Sequence, residues 1–108
     1  MTYESTLTAL ADPRRRILFE KLATYPMSVA DLAADQPISR PAVSQHLKVL
    51  EAAGLVHATA QGNRRIYAVN AAGLAPLRDY INQFWDDALT AFADHIKSQK
   101  TASAKKEK

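Results

Sequence analysis

A mainly α-helical domain with one small β-hairpin is what the sequence predicts, on three observations. Apolar residues recur at helical spacing in several separate runs, each bounded by a capping residue, a Pro or a Gly. Two short β-prone runs, Leu55–Ala60 and Arg64–Val69, flank Gln61, Gly62 and Asn63, the turn chemistry that a hairpin requires. Two of the helical runs lie a few residues apart directly before that hairpin, so the order is helix, turn, helix, hairpin.

The first helical run, Ser5–Ala11, has Leu7 and Leu10 as its apolar pair and is too short to persist unless something packs on it. Asp12 reads as an N-cap with Pro13 in the first helical position, opening a helix to about Tyr25 with Ile17, Leu18 and Leu22 facing inward. Arg14, Arg15 and Arg16 fall in its first turn, against the helix dipole. They are read first as solvated charge or intrachain ion-pair partners and second as phosphate contacts. Pro26 closes this helix, and Ser28 with Asp31 three residues on caps a short helix to about Asp35, with Val29, Leu32 and Ala33 as its apolar side. Gln36–Ile38 is then the turn of a helix-turn-helix.

The rest of the chain is organised around Ser39–Val56, S-R-P-A-V-S-Q-H-L-K-V-L-E-A-A-G-L-V. Ser39 suits an N-cap, Pro41 is tolerated in the first turn, and Gly54 suits the left-handed residue past the C-terminus, giving a helix from about Arg40 to Ala53. Val43, Leu47 and Leu50 make a buried stripe, while Arg40, Ser44, Gln45 and Lys48 lie elsewhere. Forked donors, a hydroxyl, an amide and a point charge are the groups that bind base edges and phosphates in a major groove. The hairpin that follows is a wing, with Arg64 and Arg65 at or just after its tip, where a basic pair reaches a minor groove or flanking phosphates. The alternative is that they only solubilise an exposed hairpin.

Asn70 is read as the cap of the last helical region, a turn at Ala71–Leu74 followed by a helix from about Ala75 to Lys97. Leu77, Ile81, Phe84, Trp85, Ala88, Phe92 and Ile96 form a broad apolar stripe along it, more than a small domain covers by itself. A partner surface is the first reading and folding back on its own domain the second. The tail 98–108 is Lys, Ala and Ser without periodicity and is expected to be a basic disordered extension of a single domain spanning 1–97.

Composition adds bounds. The net charge of +3 resides in the tail, because residues 1–97 carry ten basic and ten acidic groups. Arg40, Lys48, Arg64 and Arg65 face only Glu51 between positions 40 and 65, whereas the last helix is acidic, so the charge is polarised rather than excessive. With no cysteine there is neither a disulfide nor a thiolate metal site, and no leader or membrane-spanning run is visible, so a cytoplasmic protein is expected. No enzyme constellation appears either: Ser44 and His46 are two apart on a helix and do not face each other, and there is no phosphate-cradling Gly loop. Neither a cofactor nor catalysis is expected.

The motifs L-A-D-P-R-R-R-I-L from Leu10, S-Q-H-L-K-V-L-E-A-A-G-L-V from Ser44 and Q-G-N-R-R-I-Y from Gln61 together resemble the winged helix-turn-helix of the ArsR/SmtB family of bacterial repressors. The likeness spans Leu10–Val69, more than half the chain. It implies a homodimer held by the first and last helices, here through Leu7, Leu10, Leu77, Ile81, Phe84, Trp85, Ala88 and Phe92. The function it implies is repression by sequence-specific binding to an imperfect palindrome in double-stranded promoter DNA. In that reading Arg40, Ser44 and Gln45 read bases; Ser39 and Lys48 serve phosphates beside Pro41; His46 is packed or touches a phosphate; and Asn63, Arg64 and Arg65 grip the flanking backbone or minor groove. Asp94 and His95 resemble the carboxylate and imidazole pair of metal-sensing members, but the rest of that set is missing, and Met27–Leu32 holds no thiolate where other members carry paired cysteines. No metal is therefore expected; an apolar cleft between the last helix and the winged domain has room for a small molecule, but no residue pattern names an effector. His57, on a wing strand, is read as a surface residue. The rival function is a winged helix that docks on an acidic protein partner as an adaptor.

Overall fold

Local signals set the ends of each helix in the computed structural model, which describes residues 2–106, with side-chain surroundings through residue 99. Helix α1, Tyr3–Ala11, starts two residues earlier than Ser5 because Thr2 caps it by accepting from the Ser5 N–H at 3.2 Å. Helix α2, Pro13–Thr24, opens as expected, with Asp12 Oδ1 accepting from the N–H groups of Arg14 at 2.8 Å and Arg15 at 3.2 Å. Leu18 and Leu22 are buried, but Ile17 is 39 % exposed, so its expected inward position is corrected: Phe19 packs against the core instead.

Strand β1 is only Met27–Ser28 and was not foreseen. Ser28 Oγ accepts from the Asp31 N–H at 3.2 Å, the expected cap, and starts α3, Val29–Ala33. Helix α4, Arg40–Ala52, follows the turn, with Ser39 Oγ accepting from the Ala42 N–H at 3.3 Å. Gly54 leaves it at φ 77°, the Leu55 N–H reaching the Leu50 carbonyl at 3.0 Å and the Gly54 N–H the Glu51 carbonyl at 2.9 Å. Leu50 and Leu55 are both fully buried, completing a Schellman ending.

Strands β2, Val56–Gln61, and β3, Arg64–Val69, form the wing, with Gln61 paired to Arg64 across a two-residue loop. Gly62 takes φ +65° and Asn63 does not take a positive φ, the pattern of a type II′ turn. β3 also pairs antiparallel with β1, so the sheet order is β1-β3-β2. The core lies between this sheet and the helices: Ala9, Leu18, Leu22, Leu32, Val43, Leu47, Leu50, Ala53, Leu55, Val56 and Tyr67. After it a 3-10 turn, Ala71–Leu74, is anchored by the Gly73 N–H on the Asn70 carbonyl at 2.9 Å. The expected side-chain cap by Asn70 is not made; its backbone oxygen does that work.

Helix α5 runs Ala75–Lys106, past the expected end near Lys97. This corrects the expectation of an unstructured tail from Ser98 to Lys106. No Pro or Gly occurs after Pro76, and Lys, Ala and Gln all favour helix, so nothing local stops it. The last two residues of that expected tail, 107 and 108, lie outside the described residues. The chain divides into two compact units, one through Leu77 and one from Arg78 on, rather than the single domain expected.

Candidate nucleic-acid interface

Helix α4 separates its residues as its periodicity requires. At about 100° per residue, Arg40, Ser44, Lys48, Pro41 and Gln45 fall within one arc of roughly 140°, and Val43, Leu47 and Leu50 within a separate arc of roughly 60° that begins about 20° from Arg40. The latter three are fully buried, while Arg40, Pro41, Gln45 and Lys48 are exposed and Ser44 is half-buried at the margin. His46 falls outside that arc, half-buried, on the side near Asp12. Ser39 is exposed; its oxygen holds the helix start, which leaves its hydroxyl proton to donate outward.

The wing does not present a pair of free arginines. Arg65 is exposed, with its guanidinium 5.9 Å from the centroid of the buried Tyr67 ring. Arg64 instead turns back, donating to Ser28 Oγ at 2.7 Å and Asp31 Oδ2 at 3.0 Å. Asn63 is exposed at the tip, and His57 on β2 is a surface residue as expected.

The arginines of α2 resolve in favour of intrachain partners. Arg15 donates to the Ala9 carbonyl at 2.7 Å and the Thr8 carbonyl at 3.3 Å, and Arg16 to the Leu10 carbonyl at 3.2 Å. They close the last carbonyls of α1, which that helix leaves without intrahelical partners. Arg14 donates to Gln36 Oε1 at 3.2 Å, tying α2 to the turn before α4. The Arg15 N–H, then the Arg14 N–H and the Arg15 charge, hold the Asp12 carboxyl below its usual value. The Lys21 ammonium, hydrogen-bonded and ion-paired to Asp35, does the same there. Because both carboxyls are depressed in the folded state, their stabilisation is complete above the unfolded value near 3.8 and is lost as pH falls through the depressed values. Thermal melts from neutral pH down to about pH 2 are expected to show Asp12→Asn and Asp35→Asn converging on the parent at the acid end.

Along α5 the stripe is open: Phe84 is 64 %, Trp85 60 % and Phe92 63 % exposed, with Tyr80, Ile81, Ala88 and Leu89 also exposed. In the first unit Leu7 is exposed, but Leu10 is half-buried and packs against its own core, and Leu77 is half-buried. An open cavity of about 600 Å³ lies at the end of α2, beside Lys21, Tyr25, Met27, Asp31 and Asp35. No group of three or more His, Cys, Asp or Glu able to hold a metal occurs among the described residues, and Asp94 and His95 are both exposed. No helix among them is long and apolar enough to cross a membrane.

Residues 12–58 match the model of the bacterial regulatory proteins of the arsR family. The HTH-type transcriptional regulator Rv2034 of Mycobacterium tuberculosis is 52 % identical over 91 residues, 84 % of this chain and 85 % of that protein. The chain belongs to the ArsR family. A second relative, the arsenical resistance operon repressor of Staphylococcus xylosus, is 34 % identical over 80 residues, 74 % of this chain and 73 % of that one. Among solved structures, the ArsR-like transcriptional regulator from Rhodococcus sp. RHA1 superposes with a TM-score of 0.68 at 32 % identity, covering 83 % of this chain and 88 % of its own. The homodimeric winged helix-turn-helix DNA-binding domain of Mb0332 from Mycobacterium bovis gives 0.63 at 26 % identity, covering 78 % of each chain. ArsR-family proteins are transcriptional regulators that bind DNA.

Sequence reasoning missed Ser28 and Asp31 as wing partners. Both were legible as a cap, but nothing in a linear reading ties them to an arginine 36 and 33 residues on.

Proposed function

We propose that the chain acts as a homodimeric repressor that binds an imperfect palindrome in promoter DNA in the cytoplasm, by occupancy and without catalysis. The observation that carries this reading is α4 itself: a helix with a fully buried apolar back and an exposed front of Arg40, Pro41, Gln45 and Lys48, capped by Ser39. Two such helices related by a dyad enter major grooves about 34 Å apart, one helical turn of duplex. Arg40, Ser44 and Gln45 read base edges, Ser39 and Lys48 bind phosphates, and Asn63 and Arg65 reach the flanking backbone. The dyad is supported by the open stripe of α5, and by the homodimeric state of the Mb0332 domain. Repression is supported by the relative named as an operon repressor.

A mobility-shift assay with the chain's own promoter region, at stated salt and with competitor DNA, tests this. A specific complex is expected; its absence, with retention of an acidic protein partner, would favour an adaptor. Gln45→Ala is expected to cost about 1 to 3 kcal/mol on the operator and to relax preference at one position per half-site. Lys48→Ala should weaken every duplex alike and flatten the salt dependence by about one phosphate. Equal operator and random-duplex binding by Gln45→Ala and the parent would remove that residue from the reading set.

A further inference from the structure

We propose that Arg64 is a latch that fixes the pitch of the wing rather than a DNA contact, and that Ser28 and Asp31 at the start of α3 are its wing-positioning partners. The significance for DNA binding rests on the function proposed above; the latch itself does not.

The wing needs such a tie. β1 pairs with β3 only at Met27 with Tyr67 and Ser28 with Ile66, so from Arg65 outward β3 pairs with β2 alone. A two-stranded ribbon on its own is marginal in water. Arg64 sits on the last rung of that ribbon, opposite Gln61, and its Nη2 reaches back to the body at two points.

Those points are not independent surface groups. Ser28 is buried, its backbone is the end of β1, and its Oγ also accepts the Asp31 N–H that begins α3. One oxygen thus joins the wing to the first helix of the helix-turn-helix. The Arg64 and Asp31 side chains are 53 % and 61 % exposed, so their ion pair contributes little stability by itself. What the pair adds is direction, because a single guanidinium nitrogen held by a buried hydroxyl and a carboxylate at once leaves the side chain few orientations.

Arg65 is the residue left for phosphate. As the next residue along the strand it points to the opposite face, and among the described residues no carboxylate lies within ion-pairing distance of it. Arg64, by contrast, would have to give up a carboxylate and a hydroxyl to take a phosphate.

The two roles for Arg64 predict opposite signs for one substitution. If Arg64 contacts DNA, Asp31→Asn frees the guanidinium and removes a negative charge, so binding tightens. If Arg64 is a latch, the same change loosens the wing and binding weakens. The experiment uses the full chain and a duplex that the parent selects from a random-sequence pool. Arg64→Gln and Asp31→Asn are each expected to weaken affinity roughly threefold to tenfold. The double variant should be no weaker than the weaker single one. Tighter binding by Asp31→Asn, no change with it, or additive losses in the double variant would each overturn the latch. Amide hydrogen exchange without DNA gives an independent readout. Both single variants should raise exchange in the outer wing while sparing α4, and unchanged wing exchange would overturn the latch as well. Should the parent select no duplex, the regulatory reading fails, yet the exchange measurement still decides whether the latch exists.

Discussion

Trp85→Glu is expected to convert the proposed homodimer to monomers in sedimentation equilibrium and to lower operator affinity roughly a thousandfold, towards the value for random duplex. The side chain is 60 % exposed on an otherwise apolar stripe with Ile81, Phe84, Leu89 and Phe92. A carboxylate there stays solvated in the single chain, so the fold should survive, with helix content by circular dichroism unchanged. In the dimer the same carboxylate would be buried against the partner's apolar stripe without a counter-ion, at a cost of several kcal/mol. A monomer retains one reading helix and so loses the second half-site together with the dyad. Phe84→Glu, 64 % exposed, is expected to do the same. A variant that remains dimeric would move the interface to another surface; a monomer with full operator affinity would dispose of the palindrome.

Gly73→Ala should destabilise the chain by roughly 3 kcal/mol, at the upper end for forcing one methyl into a packed site. A Cβ on Gly73 would lie 1.8 Å from the Gly54 carbonyl oxygen and 2.6 Å from its carbon. Both are backbone atoms and cannot swing aside as a side chain would. The turn after the wing would therefore have to lift off the end of α4, where the Asn70 N–H also donates to the Leu55 carbonyl at 2.8 Å. Gly62 makes a useful contrast: nothing lies within 4 Å of a Cβ there, and only its φ of +65° opposes Ala. Urea denaturation of Gly73→Ala, Gly62→Ala and the parent checks this, and an unshifted midpoint for Gly73→Ala would mean the close approach is not held in solution.

How much of this was legible varies with the range of the interaction. Helix α4 was readable almost to the residue, because Ser39, Pro41 and Gly54 act on their immediate neighbours and Val43, Leu47 and Leu50 repeat within one element. The wing was readable for the same reason. Strand β1 was not, since two residues carry no alternation and exist as a strand only because β3 lies beside them. Ile17 was misplaced because neighbouring apolar residues, Leu18 and Phe19, satisfy the core equally well in a linear reading.

The sequence by itself determined where α2, α3, α4 and α5 begin, that α4 has a polar front, and that the last helix bears a broad apolar stripe. These follow from caps, spacing and composition, all of which act within a few residues. Only the tertiary structure decided what the arginines do: Arg15 and Arg16 close the end of α1, and Arg64 takes Ser28 and Asp31. A guanidinium is a long, flexible donor that any nearby oxygen can satisfy, so its partner is fixed by which elements the fold brings within reach, and that is written in no local stretch of the chain.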